Sequence, residues 1–169
     1  MSQVQSFAPI EQADARILIL GSMPGEASIK AGQYYAHPQN KFWHIMGELL
    51  GTDLRPPDNY ARRVQALKSA RIALWDVLHS CRRKGSLDSS IKNESLVAND
   101  FAALFLSHPH ITHVFFNGTK ADACYHRHVQ PVIKVGAVEY LRLPSTSPAN
   151  ASSPYERKLE AWRAVAMHT

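Results

Sequence analysis

Two nearly unbroken apolar runs, RILILG at Arg16–Gly21 and THVFFN at Thr112–Asn117, restrict the possible folds of this chain more than any other feature. A strand with one wet face alternates between apolar and polar residues. A strand that is apolar at almost every position is covered on both faces, which is the condition of a central parallel strand. IALWD (Ile72–Asp76) and EYLRLP (Glu139–Pro144) read as two further strands. Between them, Phe42, Ile45, Met46, Leu49 and Leu50 recur at helical spacing, and Gly51 stands where a C-cap belongs. Tyr60, Val64 and Leu67 form a shorter stripe, while Leu96–Leu106 and Lys120–Val129 are two more helix candidates. A last helix is expected to open on a capping box, with Ser153 as N-cap, Pro154 at the first helical position and Glu156 three residues after the serine. Strands alternating with helices predict right-handed βαβ units. The expected fold is therefore α/β, a three-layer α/β/α sandwich with a central four-stranded parallel sheet, in one domain over residues 1–169. Thr52–Tyr60, TDLRPPDNY, reads as a Pro-rich loop within it.

Composition narrows the chemistry. Cys81 and Cys124 are the only cysteines and form no C-x-x-C pair, so the thiolates an iron–sulfur cluster needs are missing and two free thiols in a reducing cytoplasm are expected. The N-terminal MSQVQSFAPIEQ carries no signal-peptide pattern, and no apolar run nears the ~18 residues that cross a bilayer. A cytoplasmic monomer with no membrane association is the expectation. Nine histidines raise the question of a metal, but His108, His110 and His113, like His126 and His128, lack a recognised ligand spacing, so neither metal nor cofactor is expected. The net charge of +5 is unevenly spread. From Arg62 to Lys92 there are eight Lys or Arg against only Asp76 and Asp88, including the triplet Arg82-Arg83-Lys84. Such a surface is either plainly solvated or built to face phosphates.

In parallel α/β sheets ligands bind beyond the carboxyl ends of the strands, so the residues following each strand become the candidates. GSMPGEAS (Gly21–Ser28) follows the first strand, with glycines that permit close backbone approach; it matches neither a P-loop nor a dinucleotide fingerprint. YYAHPQN (Tyr34–Asn40) comes next, at the mouth of the Phe42 helix. Tyr34 and Tyr35 offer flat faces for stacking a heterocyclic base, or are half-buried core tyrosines. Asn40 is either a helix N-cap or an amide that orients a water or a substrate edge. Asp76 ends the second strand and can accept from a bound heterocycle or from its own loop. Arg82, Arg83 and Lys84, with Ser86, Ser89 and Ser90, follow as phosphate-contact candidates. Asn117 sits beside Gly118 at the third strand end, and LPSTSPANASSP (Leu143–Pro154) follows the fourth, a hydroxyl-rich, proline-stiffened loop suited to lie along a phosphate backbone. No G-x-S-x-G elbow supports a serine hydrolase.

GSMPG, YYAHPQNKFW and LPSTSP, each after its own expected strand, resemble the uracil-DNA glycosylase superfamily over roughly Leu18–Trp162. SCRRKGSLDSSI and FFNGTKA bring the chain closest to the hypoxanthine-DNA glycosylase branch. The resemblance implies a monofunctional DNA glycosylase acting on DNA with deaminated bases, hypoxanthine first and uracil or xanthine second, without cofactor. It implies that Tyr35 stacks on the flipped base, that Asn40 is catalytic, and that Gly21, Ser22, Met23, Asp76 and Asn117 surround the base. It further implies that Ser145 contacts a phosphate and that Thr146, Ser147 and Pro148 belong to a loop that wedges into the duplex. Two positions depart from the family. Met23 stands where many relatives hold water with Asp or Asn, and Leu143 where they carry His or Asn, which shifts the weight onto Asn40. A non-catalytic nucleic-acid- or nucleotide-binding module on the same fold is the alternative that these losses suggest.

Overall fold

A computed structural model describes residues 2–55 and 59–169. The Pro56–Asp58 part of the expected Pro-rich loop lies outside the described residues. In chain order the elements are β1 (Ser2–Gln5), β2 (Ile17–Gly21), α1 (Glu26–Ala31), α2 (Phe42–Leu50), α3 (Tyr60–Ser69), β3 (Ile72–Asp76), β4 (Leu78–Arg83), β5 (Val97–Ala98), α4 (Phe101–Ser107), β6 (His113–Asn117), α5 (Thr119–Cys124), β7 (Glu139–Leu143) and α6 (Tyr155–Ala166).

Strands β3, β2, β6 and β7 lie side by side in that order and are parallel at every pairing. Alternation of side chains sorts the core into two clusters. Ile17, Ile19, Ile72, Leu74 and Phe115 pack with Phe42, Trp43, Leu67 and Trp162 of α2, α3 and α6. Leu18, Leu20, Ala73, Trp75 and Phe116 pack on the other face with Phe101, Leu104, Ala121 and Cys124 of α4 and α5. Ile17 to Leu20 are all fully buried, which is why β2 shows no polar alternation. The three-layer α/β/α sandwich follows from the sequence pattern. Its strand order runs outward in both directions from β2, so the topological switch lies between β2 and β6, where a crevice opens at the carboxyl ends.

Four expectations need correction. The segment after Asp76 is not a loop: β4 starts one residue later and pairs antiparallel with β1 and β5 in a second, three-stranded sheet. SQVQ and LHSCRR are too polar to read as strands, yet Leu78 and Cys81 turn inward onto the Trp75 side of the core. The chain makes this bend because the Val77 and Leu78 amides donate to the Gly21 and Ser22 carbonyls, at 2.8 and 3.2 Å. The expected Leu96–Leu106 helix is shortened to α4, because Val97 and Ala98 extend the second sheet and Asp100 caps the helix through the Ala103 amide at 3.1 Å. The expected Lys120–Val129 helix is regular only to Cys124 and then widens into a π turn at Tyr125–Val129. The Ser153 capping box does not form. Pro154 is itself the extended residue before α6, so Ser153 stands one position too early to reach the first turn.

Candidate active site

The four parallel strands run out at a cleft of about 720 Å³, a size typical of small-ligand sites. Gly21, Asp76, Asn117 and Leu143, the last residues of β2, β3, β6 and β7, all line it. Gly21 is required by space. A Cβ there would stand 2.5 Å from Asp76 Oδ1 and 2.8 Å from the Tyr35 hydroxyl, so the floor is a three-way convergence that only a glycine allows.

The two adjacent tyrosines have opposite fates. Tyr34 is core: it is buried, its ring meets Phe7 edge-on at 5.2 Å, and its hydroxyl donates to the Ala8 carbonyl. The expectation that both rings offer base-stacking faces is corrected to Tyr35 alone. Tyr35 lies against Phe42 with ring centroids 4.2 Å apart, which covers one face and leaves the other to the cleft it lines. Its φ of 54° is unusual for a bulky residue. The backbone on either side is pinned: Tyr60 Oη accepts from Tyr34 N at 3.0 Å, Trp43 Nε1 donates to the Tyr34 carbonyl at 2.8 Å, and Ser28 Oγ accepts from Ala36 N at 3.1 Å. A left-handed aromatic held from three sides is strain maintained by its surroundings, as at ligand-binding positions.

Asn40 is not the N-cap of α2, a place taken by Lys41. From one residue earlier its Oδ1 accepts from Phe42 N at 2.9 Å in an Asx turn, while the residue lines the cleft and its Nδ2 has no partner among the described residues. The turn therefore orients the amide and leaves its N–H groups for a ligand or a water.

Asp76 is 3% exposed, and among the described residues its Oδ2 has no hydrogen-bond partner within 3.5 Å, nor has the buried Tyr35 hydroxyl beside it, whose other neighbour is the Asn117 side chain. Burial pushes the Asp76 carboxyl up to about 7, the nearby Asp88 carboxylate adds to the rise, and the Arg83 guanidinium opposes it. Burial likewise raises the Tyr35 phenol far above its ordinary value. Ser22 Oγ donates to Asp88 Oδ1 at 2.5 Å, and Ser86 Oγ accepts from the Glu26 amide at 2.8 Å. These two bonds fasten the 86–90 segment as one wall of the cleft.

The opposite wall is bonded to itself. Asn117 Oδ1 accepts from Thr146 N at 2.9 Å and its Nδ2 donates to Thr146 Oγ1 at 3.0 Å, leaving one lone pair and one N–H for anything else. Thr146 is 1% exposed, so the expectation that it enters the duplex with the loop tip is corrected: it is the loop's anchor. Ser145 Oγ accepts from Ser147 N, Ser147 Oγ from Ala149 N, and the Thr146 carbonyl from Lys41 N. These bonds hold an exposed tip at Pro148 and half-buried Ser145 and Ser147 beside the cleft. Gly118, at φ 96°, lets β6 turn beneath the loop, where a Cβ would meet Ser145 Cβ at 3.1 Å.

The basic triplet separates. Arg83 is buried, with Nε donating to the Gly85 carbonyl at 2.8 Å and Nη2 to the Pro24 carbonyl at 2.6 Å. Its place among the DNA contacts is thus corrected to a structural one, imposed by the inward phase of β4. Arg82 and Lys84 are exposed.

Residues 8–166 match the family model described as the Uracil DNA glycosylase superfamily. The chain belongs to the uracil DNA glycosylase superfamily. Within it, the protein is 40% identical over 154 residues to the hypoxanthine DNA glycosylase of Methanosarcina barkeri, covering 91% of this chain and 92% of that one. It is 37% identical over 164 residues to the hypoxanthine DNA glycosylase of Methanosarcina acetivorans, covering 97% and 98%. A solution NMR structure of an M. acetivorans protein named for uracil DNA glycosylase superposes with a TM-score of 0.82 at 36% identity, covering 99% and 98%. The protein is a DNA glycosylase, and the reading as a non-catalytic module is set aside.

The superfamily member's two departures now have a physical setting. Met23 is buried in the core cluster of the α4–α5 face and Leu143 in that of the α2–α6 face. Apolar packing has replaced the polar groups expected at those positions. Several cleft residues escaped the sequence reading, Lys120 and Arg142 among them. His37 lines the cleft with Nδ1 accepting from Gln39 N at 3.1 Å; it lies inside the Tyr34–Asn40 block, which was the available signal. Asp88 and Leu87 sit in a segment read for its basic residues, its serines and its resemblance, and no local pattern announces that it folds back over β2.

Proposed function

We propose that this glycosylase removes hypoxanthine from DNA, with uracil and xanthine as poorer substrates, by hydrolysing the N-glycosidic bond of a nucleotide turned out of the helix. The observation that carries the reading is the joint presence, in one cleft, of an open Tyr35 face, an unpartnered buried Asp76 carboxyl and an Asn40 amide with its Nδ2 uncommitted. The names of the two relatives support hypoxanthine as the first substrate.

Binding begins at the exposed cationic and hydroxyl groups. Arg82, Lys84, Ser145 and Ser147 contact phosphates, and the Pro148 tip presses into the duplex. Extrusion costs a few kcal/mol and is cheapest for a mispaired, deaminated base, which is one source of selectivity. The base stacks on Tyr35, worth roughly 1–3 kcal/mol, with Gly21, Ser22, Met23, Asp76 and Asn117 around its edge. As the bond to the sugar lengthens, positive charge develops at C1′. Asn40 orients the attacking water. An amide takes no proton at neutral pH, but an oxocarbenium-like carbon requires a placed water more than a strong base. The water oxygen bonds to C1′, its proton leaves to solvent, and the base departs. Neither cofactor nor lyase step is part of the reading, and the enzyme acts as a cytoplasmic monomer.

Duplexes bearing hypoxanthine, uracil or xanthine, incubated with the protein with and without EDTA and then treated with alkali, test it. Scission is expected first at hypoxanthine and unchanged by EDTA. Intact hypoxanthine strands alongside efficient uracil scission would overturn the substrate order.

A further inference from the structure

Asp76 is an unusual wall for a base pocket. It ends β3 beside Gly21 of β2, is buried at 3% exposure, and has an oxygen that bonds to nothing. Among the described residues Arg83 is the cation that bears on it; Arg83 spends Nε and Nη2 on backbone carbonyls, keeps a buried Nη1 without a partner, and forms no ion pair with Asp76. Asp88 faces it from the 88–90 turn, occupied by Ser22, and Tyr34 and Tyr35 face it from the segment before α2. No group here neutralises a carboxylate by contact, and a buried unpaired charge is costly. The surroundings favour the neutral acid, which donates one hydrogen bond as well as accepting.

We infer that Asp76, in its protonated form, is the general acid that transfers a proton to the leaving purine as the glycosidic bond breaks. The inference rests on the hypoxanthine reading above. The six-membered-ring carbonyl and the imidazole nitrogen that hypoxanthine shares with guanine present two acceptors, O6 and N7, on one edge, and a donor is what such an edge lacks. As the C1′–N9 bond breaks, its electron pair moves into the base and N7 takes the Asp76 proton, so hypoxanthine leaves neutral. Water adds hydroxide to C1′ and gives its proton to solvent, from which the Asp76 carboxylate is reprotonated. Atoms and charge balance with no further reactant. Depth separates this role from that of a water-activating base. Asp76 lies in the floor with the Tyr35 hydroxyl, both against Gly21, whereas Asn40 lines the cleft from the turn before α2, where the reading above gives it the water. The carboxyl titrating near about 7 is suited to give up a proton at neutral pH.

The test is single-turnover excision from a hypoxanthine duplex between pH 5.5 and 9, roughly spanning that titration, with lesion-duplex affinity measured separately. For the wild-type enzyme the rate should hold at low pH and fall about tenfold per pH unit above its break. Asp76→Asn, which keeps the shape and a hydrogen-bond donor, should lower the rate about 10²–10⁴-fold, leave affinity unchanged and flatten the profile. The wild-type profile carries the test alone if the variant does not fold. A wild-type rate that rises with pH, or an Asn variant with wild-type rate and profile, would overturn the acid role while leaving the glycosylase reading intact. No excision of hypoxanthine by the wild type at any pH would overturn that reading, and the inference with it.

Discussion

The floor of the cleft and its Ser-Pro wall are built from similar residues and bonded in opposite ways. In the wall, Asn117 and Thr146 meet twice, and the Ser145 and Ser147 hydroxyls close their own turns. In the floor, the Tyr35 hydroxyl and Asp76 Oδ2 are buried with no partner, and Tyr35 holds a left-handed backbone. Buried polar groups are almost always satisfied. A wall that satisfies itself is scaffold, shaped before DNA arrives. A floor that does not is waiting for polar atoms from elsewhere, and it lowers stability until they come.

Substitutions in the floor should therefore cost activity more than stability, and substitutions in the wall stability more than activity. The largest effect is expected at Gly21→Ala, whose methyl must displace Asp76 or Tyr35. Excision should fall about 10²-fold or more, and an undiminished rate would disprove the tight floor. Next is Asp76→Asn, read by thermal and denaturant unfolding. The folded protein binds the Asp76 proton more tightly than the unfolded chain does, so wild-type stability declines as pH rises from about 4 to about 7 and stays lowered above. The Asn variant should gain on the order of 3 kcal/mol at pH 8 and almost nothing at pH 4. Equal gains at both would show that the carboxyl does not titrate as described. In the wall, Asn117→Ala should lose about 2 kcal/mol of stability by stranding the buried Thr146 groups. A double-mutant cycle with Thr146→Val should return a coupling, and strict additivity would deny that the pair is the anchor. The smallest effect separates neighbouring arginines. Arg82→Ala should change stability by no more than about 0.5 kcal/mol and reduce the salt slope of DNA binding by about 1, whereas Arg83→Ala should be felt mainly in folding.

How much of this is visible in the linear chain depends on how local each cause is. Strands β2, β3, β6 and β7 declare themselves because burial on both faces is written as consecutive apolar residues. The rim follows from them, since strand ends are where ligands bind. Asn40, Tyr35 and Asp76 were within reach for that reason. The second sheet was not, because β1 and β4 pair residues nearly eighty apart and bury only one face. The same long-range pairing sets the inward phase of β4 and so hides Arg83, which composition alone presents as surface charge. Tyr34 and Tyr35 are neighbours with the same side chain, and what parts them is long-range: Phe7 and the Ala8 carbonyl hold the Tyr34 ring in the core. Ser153 had the right residue type in the right pattern, and the extended Pro154 moved the helix start past it.

The account turns on Asn40. Its amide is oriented by the bond from Phe42 N and, among the described residues, unpartnered at Nδ2, and it is assigned the water. The direct measurement is single-turnover excision of hypoxanthine from duplex DNA by the wild type and by Asn40→Ala, with affinity for the same duplex measured in parallel. The account predicts that the variant binds the duplex as the wild type does and loses at least about 10²-fold in rate. An Asn40→Ala enzyme that excises at the wild-type rate would show that the amide only closes the turn before α2 and that the water is held elsewhere.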